Sequence, residues 1–229
     1  MTPEPASQKS KQRGWNQMKR KLLLTLVTLP ILATGYVLFH PGVAFTETPL
    51  ARNAATGFQQ EGNFTVDPAH TCIGFDIGHL GISRVQGRFS KPIGSLHADA
   101  KNVSNSSVKI TIDASSVDTA VAPRDADLRS PNFFDVARYP QITFISTSIS
   151  KRGRSYVALG NLTMHGVTKP VTIKFKAYGP IKDPWGNTRI GVLSEPLTIH
   201  RSDFGMTFDA PSVSDDVTIR LSLEATQDK

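Results

Sequence analysis

The stretch VTIRLSLE, Val217 to Glu224, alternates apolar Val217, Ile219, Leu221 and Leu223 with polar Thr218, Arg220, Ser222 and Glu224. Successive side chains of an extended chain point to opposite faces, so this segment buries one face and wets the other. The same period recurs in VTIKFKA, where Val171, Ile173, Phe175 and Ala177 alternate with Thr172, Lys174 and Lys176. It recurs again in VKITID, Val108 to Asp113. One dry face and one solvated face are what antiparallel strands of a barrel or sandwich require. Working outward, further strand-like runs are Phe64 to Pro68, Cys72 to Ile77, Val85 to Phe89, Gly94 to Ala98, Gln141 to Ser148, Tyr156 to Met164 and Arg189 to Ile199. Turn chemistry separates them at Asn102 to Ser107, Lys151 to Arg154, His165-Gly166, and Gly179 to Asn187 with Pro180, Pro184 and Gly186. Helices do not alternate with strands, and no repeat of fixed period occurs.

One stretch breaks the pattern. Residues Ala122 to Arg129 predict a short helix, with Pro123 at its start and acidic groups in its first turn. Ser130-Pro131-Asn132 ends it, and Phe133, Phe134, Val136 and Tyr139 follow. Adjacent phenylalanines in a connector must bury against something. They either complete the core as a lid over one barrel end or form the wall of a ligand mouth, and the two roles are compatible.

The chain has 229 residues and a formal net charge of +7, which by itself suggests a nucleic-acid or anionic-membrane partner. Lys9, Lys11, Arg13, Lys19, Arg20 and Lys21 against Glu4 place +5 of it before residue 22 and leave +2 for everything after. The main domain is therefore close to neutral, and a nucleic-acid partner is not expected. The basic cluster precedes an uncharged run, Leu22 to Phe39, followed by HPGVA with small Gly42 and Ala44. Residues 1–44 read as a secretory signal peptide cleaved after Ala44, or as a retained N-terminal membrane anchor through residues 22–39. Met18 opens MKRKLLLTLVTLP, a conventional signal sequence by itself and a second candidate start. In either case the domain is expected to be exported across the inner membrane, periplasmic or secreted, or anchored to that membrane. Residues 45–61 read as a tether and residues 62–229 as the domain. Cys72 is the only cysteine. It is not placed for lipidation, and is expected to be a small buried hydrophobe.

Enzymatic signatures are not found. The six histidines, His40, His70, His79, His97, His165 and His200, are widely separated and show no metal-binding spacing. Nucleophile-elbow, P-loop and dinucleotide motifs are missing, so no metal or cofactor is expected. Arg124-Asp125 and Arg201-Ser202-Asp203 each put an Arg beside an acid. Local ion pairs and turn bonds account for them simply. The sharper reading has Arg124 or Arg201 facing a phosphate or quinone head group, which a guanidinium suits.

Four strings occur in order: FTVDPAHTCIGFDIGHLGISRVQGRF from Phe64, SSVDTAVAPRDADLRSPNFFDVARYPQITF from Ser115, GNLTMHGVTKPV from Gly160, and HRSDFGM from His200. Together they resemble the YceI family of bacterial, lipocalin-like proteins, over about Gly62 to Thr226. The resemblance implies an antiparallel lipocalin-like β-barrel of about eight strands with a short helical lid. It also implies non-enzymatic binding, storage or transport of a polyprenol, polyprenyl phosphate or isoprenoid quinone in the cell envelope, sometimes linked to stress response. Strand alternation and position in these strings nominate Phe75, Ile77, Val85, Phe89, Ile112, Phe134, Phe144, Leu162, Met164, Phe175 and Phe204 as lumen residues, with Arg124 and Arg201 at the mouth. Two other readings stay open. One is a lipid isomerase or cyclase using the barrel as a hydrophobic chamber, with His79 or His165 at depth. The other is a structural envelope module with a filled core. A homodimer is compatible with the sequence.

Overall fold

The computed structural model describes residues 57–229. The expected signal or anchor, and the tether up to residue 56, lie outside the described residues. Among the described residues there are twelve strand segments: β1 (Gly62–Val66), β2 (Cys72–His79), β3 (Ser83–Phe89), β4 (Pro92–Ala98), β5 (Ser107–Asp113), β6 (Val117–Asp118), β7 (Gln141–Arg152), β8 (Ser155–Met164), β9 (Val167–Lys182), β10 (Thr188–Ser194), β11 (Leu197–His200) and β12 (Val213–Gln227). The helix α1 (Ala122–Arg129) falls where the sequence predicts it. Among the described residues no helix is long and apolar enough to cross a membrane.

The segments pair so that β1 with β2, β3 with β4, β5 with β6, and β10 with β11 each make one kinked stave. For instance, β2 pairs with β3 while β1 pairs with β4, both antiparallel. Eight staves result, each bonded to the next along the chain. β12 meets β10 and β11 on one side and β1 and β2 on the other, which closes the barrel. This is the lipocalin-like barrel the resemblance implies.

Two details depart from the sequence reading. The segment from Gly179 to Lys182, expected as turn, is the end of β9. Gly179-Pro180 is accommodated opposite a register shift in β10 between Arg189 and Gly191, the kind of bulge where a strand tolerates proline. Cys72 is exposed rather than buried. It precedes Ile73, which points inward and is 5% exposed, so alternation turns the cysteine out.

The interior is solid at one end. Phe58, Tyr156 and Phe175 form an aromatic cluster, with Tyr156 stacked on Phe175 at 5.4 Å and tilted against Phe58 at 5.1 Å. The Tyr156 hydroxyl accepts the Phe58 backbone N–H at 3.2 Å. Phe64, Ile149, Ala177 and Ala225 complete this floor. Gly57 and Phe58, expected within the tether, are thus buried parts of the domain.

Candidate functional site

Above the floor the barrel is hollow. A cavity of about 280 Å³ runs from Leu223 up to α1, the β2–β3 hairpin and the loop before β12. Exposure along single strands shows the transition. On β9, Val171 and Ile173 are half-buried while Phe175 and Ala177 are buried. On β12, Val217, Ile219 and Leu221 are half-buried, whereas Leu223 and Ala225 fall to 7% and 2% exposure. All point inward by alternation. The half-buried ones face empty space that solvent enters from the open end.

Of the residues nominated from sequence, Phe75, Ile77, Val85, Phe89, Ile112, Phe134, Phe144, Leu162 and Met164 line this cavity. Phe175 does not, because it lies in the aromatic floor below. Phe204 does not either. It is 1% exposed on the 3-10 turn Arg201–Phe204, which packs against β9, β11 and β12. There it helps cover the seam beside the first half of β9, where β11 bonds only to β12. The wall also includes Ile73, Ile110, Ile142, Ile199 and Met206, not nominated from sequence. The first three belong to strand runs whose alternation already marks them as inward.

Two glycines make the hollow possible. A Cβ on Gly87 would lie 2.4 Å from Cζ of Phe75, its cross-strand partner. A Cβ on Gly160 would lie 2.5 Å from Cζ of Phe144 and 2.6 Å from the Ile145 carbonyl oxygen. Both rings therefore lie flat along the wall over a glycine instead of projecting into the lumen.

The open end carries the cavity's polar groups: His79, Arg124, Asp127, Arg201 and Asp209. The wall contains no Ser, Thr, Cys, Lys or Tyr, so it offers no hydroxyl, thiol or amine nucleophile. Arg201 is not available to a head group in the way the sequence suggests. Its Nε donates to the Ser214 carbonyl at 2.9 Å, Nη1 to Met206 and Phe208 at 3.0 and 2.8 Å, and Nη2 to Val213 at 2.9 Å. Burial pushes its pKa down from the usual arginine value, yet four carbonyl acceptors suit the cation. It staples the loop before β12. Arg124 does not pair with Asp125. Its Nε and Nη2 donate to the Thr119 hydroxyl and carbonyl at 2.8 and 2.9 Å, while buried Asp125 accepts the Thr119 backbone N–H at 2.9 Å. Thr119 thereby fixes the start of α1, and Arg124 reaches the cavity wall from there.

His165 is a structural residue. Its Nδ1 lies 2.9 Å from the Phe204 carbonyl oxygen and must carry the proton to donate. Tyr139 meets its ring edge-on at 4.8 Å. The bond ties the β8–β9 turn to the segment covering the seam. Asp67, His70 and Glu224 have metal-ligand spacing, but a cation already sits among them. Arg189 donates to Asp67 at 2.8 Å, to Glu224 at 2.6 Å and to Asp183 at 2.8 Å. That guanidinium holds the Asp67 carboxyl down at about 2.

Comparison with known proteins agrees with this architecture. Residues 64–225 match the YceI-like domain model. Protein YceI of Salmonella arizonae is 40% identical over 187 residues, covering 82% of this chain and 97% of that protein. The crystal structure of BcnA from Burkholderia cenocepacia superposes with a TM-score of 0.64 at 26% identity, covering 70% of this chain and 99% of that one. A polyisoprenoid binding domain from Saccharophagus degradans, implicated in plant cell wall breakdown, shares the fold with a TM-score of 0.58 at 16% identity, covering 74% of this chain and 100% of that one.

Proposed function

The chain belongs to the YceI-like family, and from that membership and its hollow barrel we propose that it binds an isoprenoid lipid without transforming it. The tail lies in the chamber and the head group stays at the open end. A polyprenol, polyprenyl phosphate or isoprenoid quinone fits this chemistry, with Arg124 the cation nearest to serve an anionic or carbonyl-bearing head. In this reading the exported domain stores the lipid or carries it across the aqueous part of the envelope.

The observation that carries the proposal is the composition of the chamber: an almost wholly aliphatic and aromatic wall, with polar groups confined to its mouth. Burial contributes about 0.8 kcal/mol per methylene. About ten buried methylenes therefore give roughly 8 kcal/mol, a micromolar dissociation constant before ordering costs. A polar anchor is not needed for useful affinity. At about 280 Å³, the chamber is close to the lower end of small-ligand pockets, roughly 300–1,000 Å³. It takes the first part of a long tail, not an indefinite length. The isomerase or cyclase reading needs a polar group at depth, and His79 lies at the open end. A module with a filled core is at odds with the cavity.

Organic extraction of the purified protein followed by mass spectrometry tests the proposal. A prenyl lipid at near-stoichiometric yield is the expected result. A barrel that is recovered empty and rejects added prenyl lipids would refute it.

A further inference from the structure

The β2–β3 hairpin ends in Leu80-Gly81-Ile82, and both apolar side chains stand in solvent, 56% and 85% exposed. Leu80 has φ 52°, a left-handed conformation that suits asparagine or glycine better than leucine. Its N–H donates to the Ser212 carbonyl at 2.7 Å, joining the hairpin tip to the loop before β12. That loop presents Phe208, 48% exposed, with its ring 5.5 Å from Phe133, a residue of the chamber wall. The exposed apolar side chains thus belong to the rim of the same opening.

We propose that this rim docks on a lipid bilayer, so that the tail passes between bilayer and chamber without crossing water. The inference rests on the lipid-binding reading above and adds the surface from which the lipid is taken. Two observations favour a bilayer over a protein partner. Leu80, Ile82 and Phe208 expose on the order of 400 Å² together, taking about 200 Å² for a large apolar residue. That is about half of the roughly 800 Å² each partner contributes to a stable protein interface. Side chains on two connected loop tips instead suit shallow insertion into the headgroup region. Residues 78–84 and 205–214 hold one cation, Arg84, and one anion, Asp209, and Arg84 is paired with Asp76. Docking is therefore driven by apolar insertion and does not require anionic lipid.

The test uses the full chain with phosphatidylcholine vesicles carrying a nitroxide-labelled lipid as quencher. In a Cys72→Ser background, a fluorophore is attached through Ile82→Cys, or through Trp185→Cys in the β9–β10 turn at the floor end. Quenching at 82 at least fivefold stronger than at 185 supports docking; equal quenching, or quenching at 185 alone, overturns it. Leu80→Asn with Ile82→Ser relieves the backbone conformation and removes the apolar tips without touching the chamber wall. This variant should take a polyprenol from vesicles at least tenfold more slowly while binding detergent-solubilised polyprenol within twofold of the parent. Unchanged uptake from vesicles overturns the inference, as does concentration-dependent self-association that the same variant abolishes. Failure of the parent to bind polyprenol from detergent would instead refute the lipid-binding reading, and the quenching contrast would still decide docking.

Discussion

Gly87 and Phe75 set how much room the chamber has. Replacing Gly87 with Ala places a methyl group where the Phe75 ring now lies, and the ring, whose far side faces the lumen, is displaced inward. We expect Gly87→Ala to fold and to bind prenyl lipid roughly tenfold more weakly in a fluorescence titration, about 1.4 kcal/mol. Adding Phe75→Leu should restore binding; a double variant as weak as the single would show that the glycine acts elsewhere. Arg189 makes a second, separable contribution. The Asp67 carboxyl sits at about 2 in the fold, against about 3.9 when unfolded. A depressed carboxylate stabilises the fold above the unfolded value, and that contribution is lost as pH falls from about 4 through 2. Arg189→Ala should therefore make stability fall less steeply over that interval in acid-dependent denaturant melts; an unchanged slope would contradict the pairing. Arginines also show where sequence reading stopped. Arg201 in HRSDFGM looks like a ligand contact, but its partners are carbonyls up to thirteen residues away, which no local pattern discloses.

Among the strands, alternation told which side chains turn inward but not how deep they lie. Val171, Ile173 and Phe175 read identically along β9, yet the first two face the cavity and the third packs on Tyr156. Depth depends on which inward neighbours are large, and here those are Tyr156, paired with Phe175 on the adjacent strand, and Phe58, distant in sequence. α1 is legible from Pro123 and from Asp125 in its first turn, since helix-start chemistry is local. The structure places it at the open end, on the cavity wall through Arg124, Asp127 and Leu128. The floor gives a prediction of its own. Phe175→Ala should cost about 3–5 kcal/mol, as large-to-small changes in packed cores do, and should deepen the chamber. Thermal melts read the first effect. A shift of preference toward longer prenyl chains reads the second, and a variant that loses stability with no change in preference would argue against a floor at this level.

In the barrel as a whole, closure, one sealed end and one open end together define an apolar chamber of limited depth. The ordered strings point to the family, and residues 64–225 match its domain model. The shape of the interior could come only from the assembled barrel, because hollow and filled barrels share the same alternation. Binding to such a chamber should strengthen with tail length only while new methylenes find wall. Titration of the purified protein with single-head-group prenyl alcohols of increasing isoprene number measures this. Affinity rising about tenfold or more per added unit and then levelling off, once the tail meets the Tyr156–Phe175 floor, is the expected curve. Affinity independent of tail length, or rising without a plateau, would contradict a closed-bottomed lipid chamber.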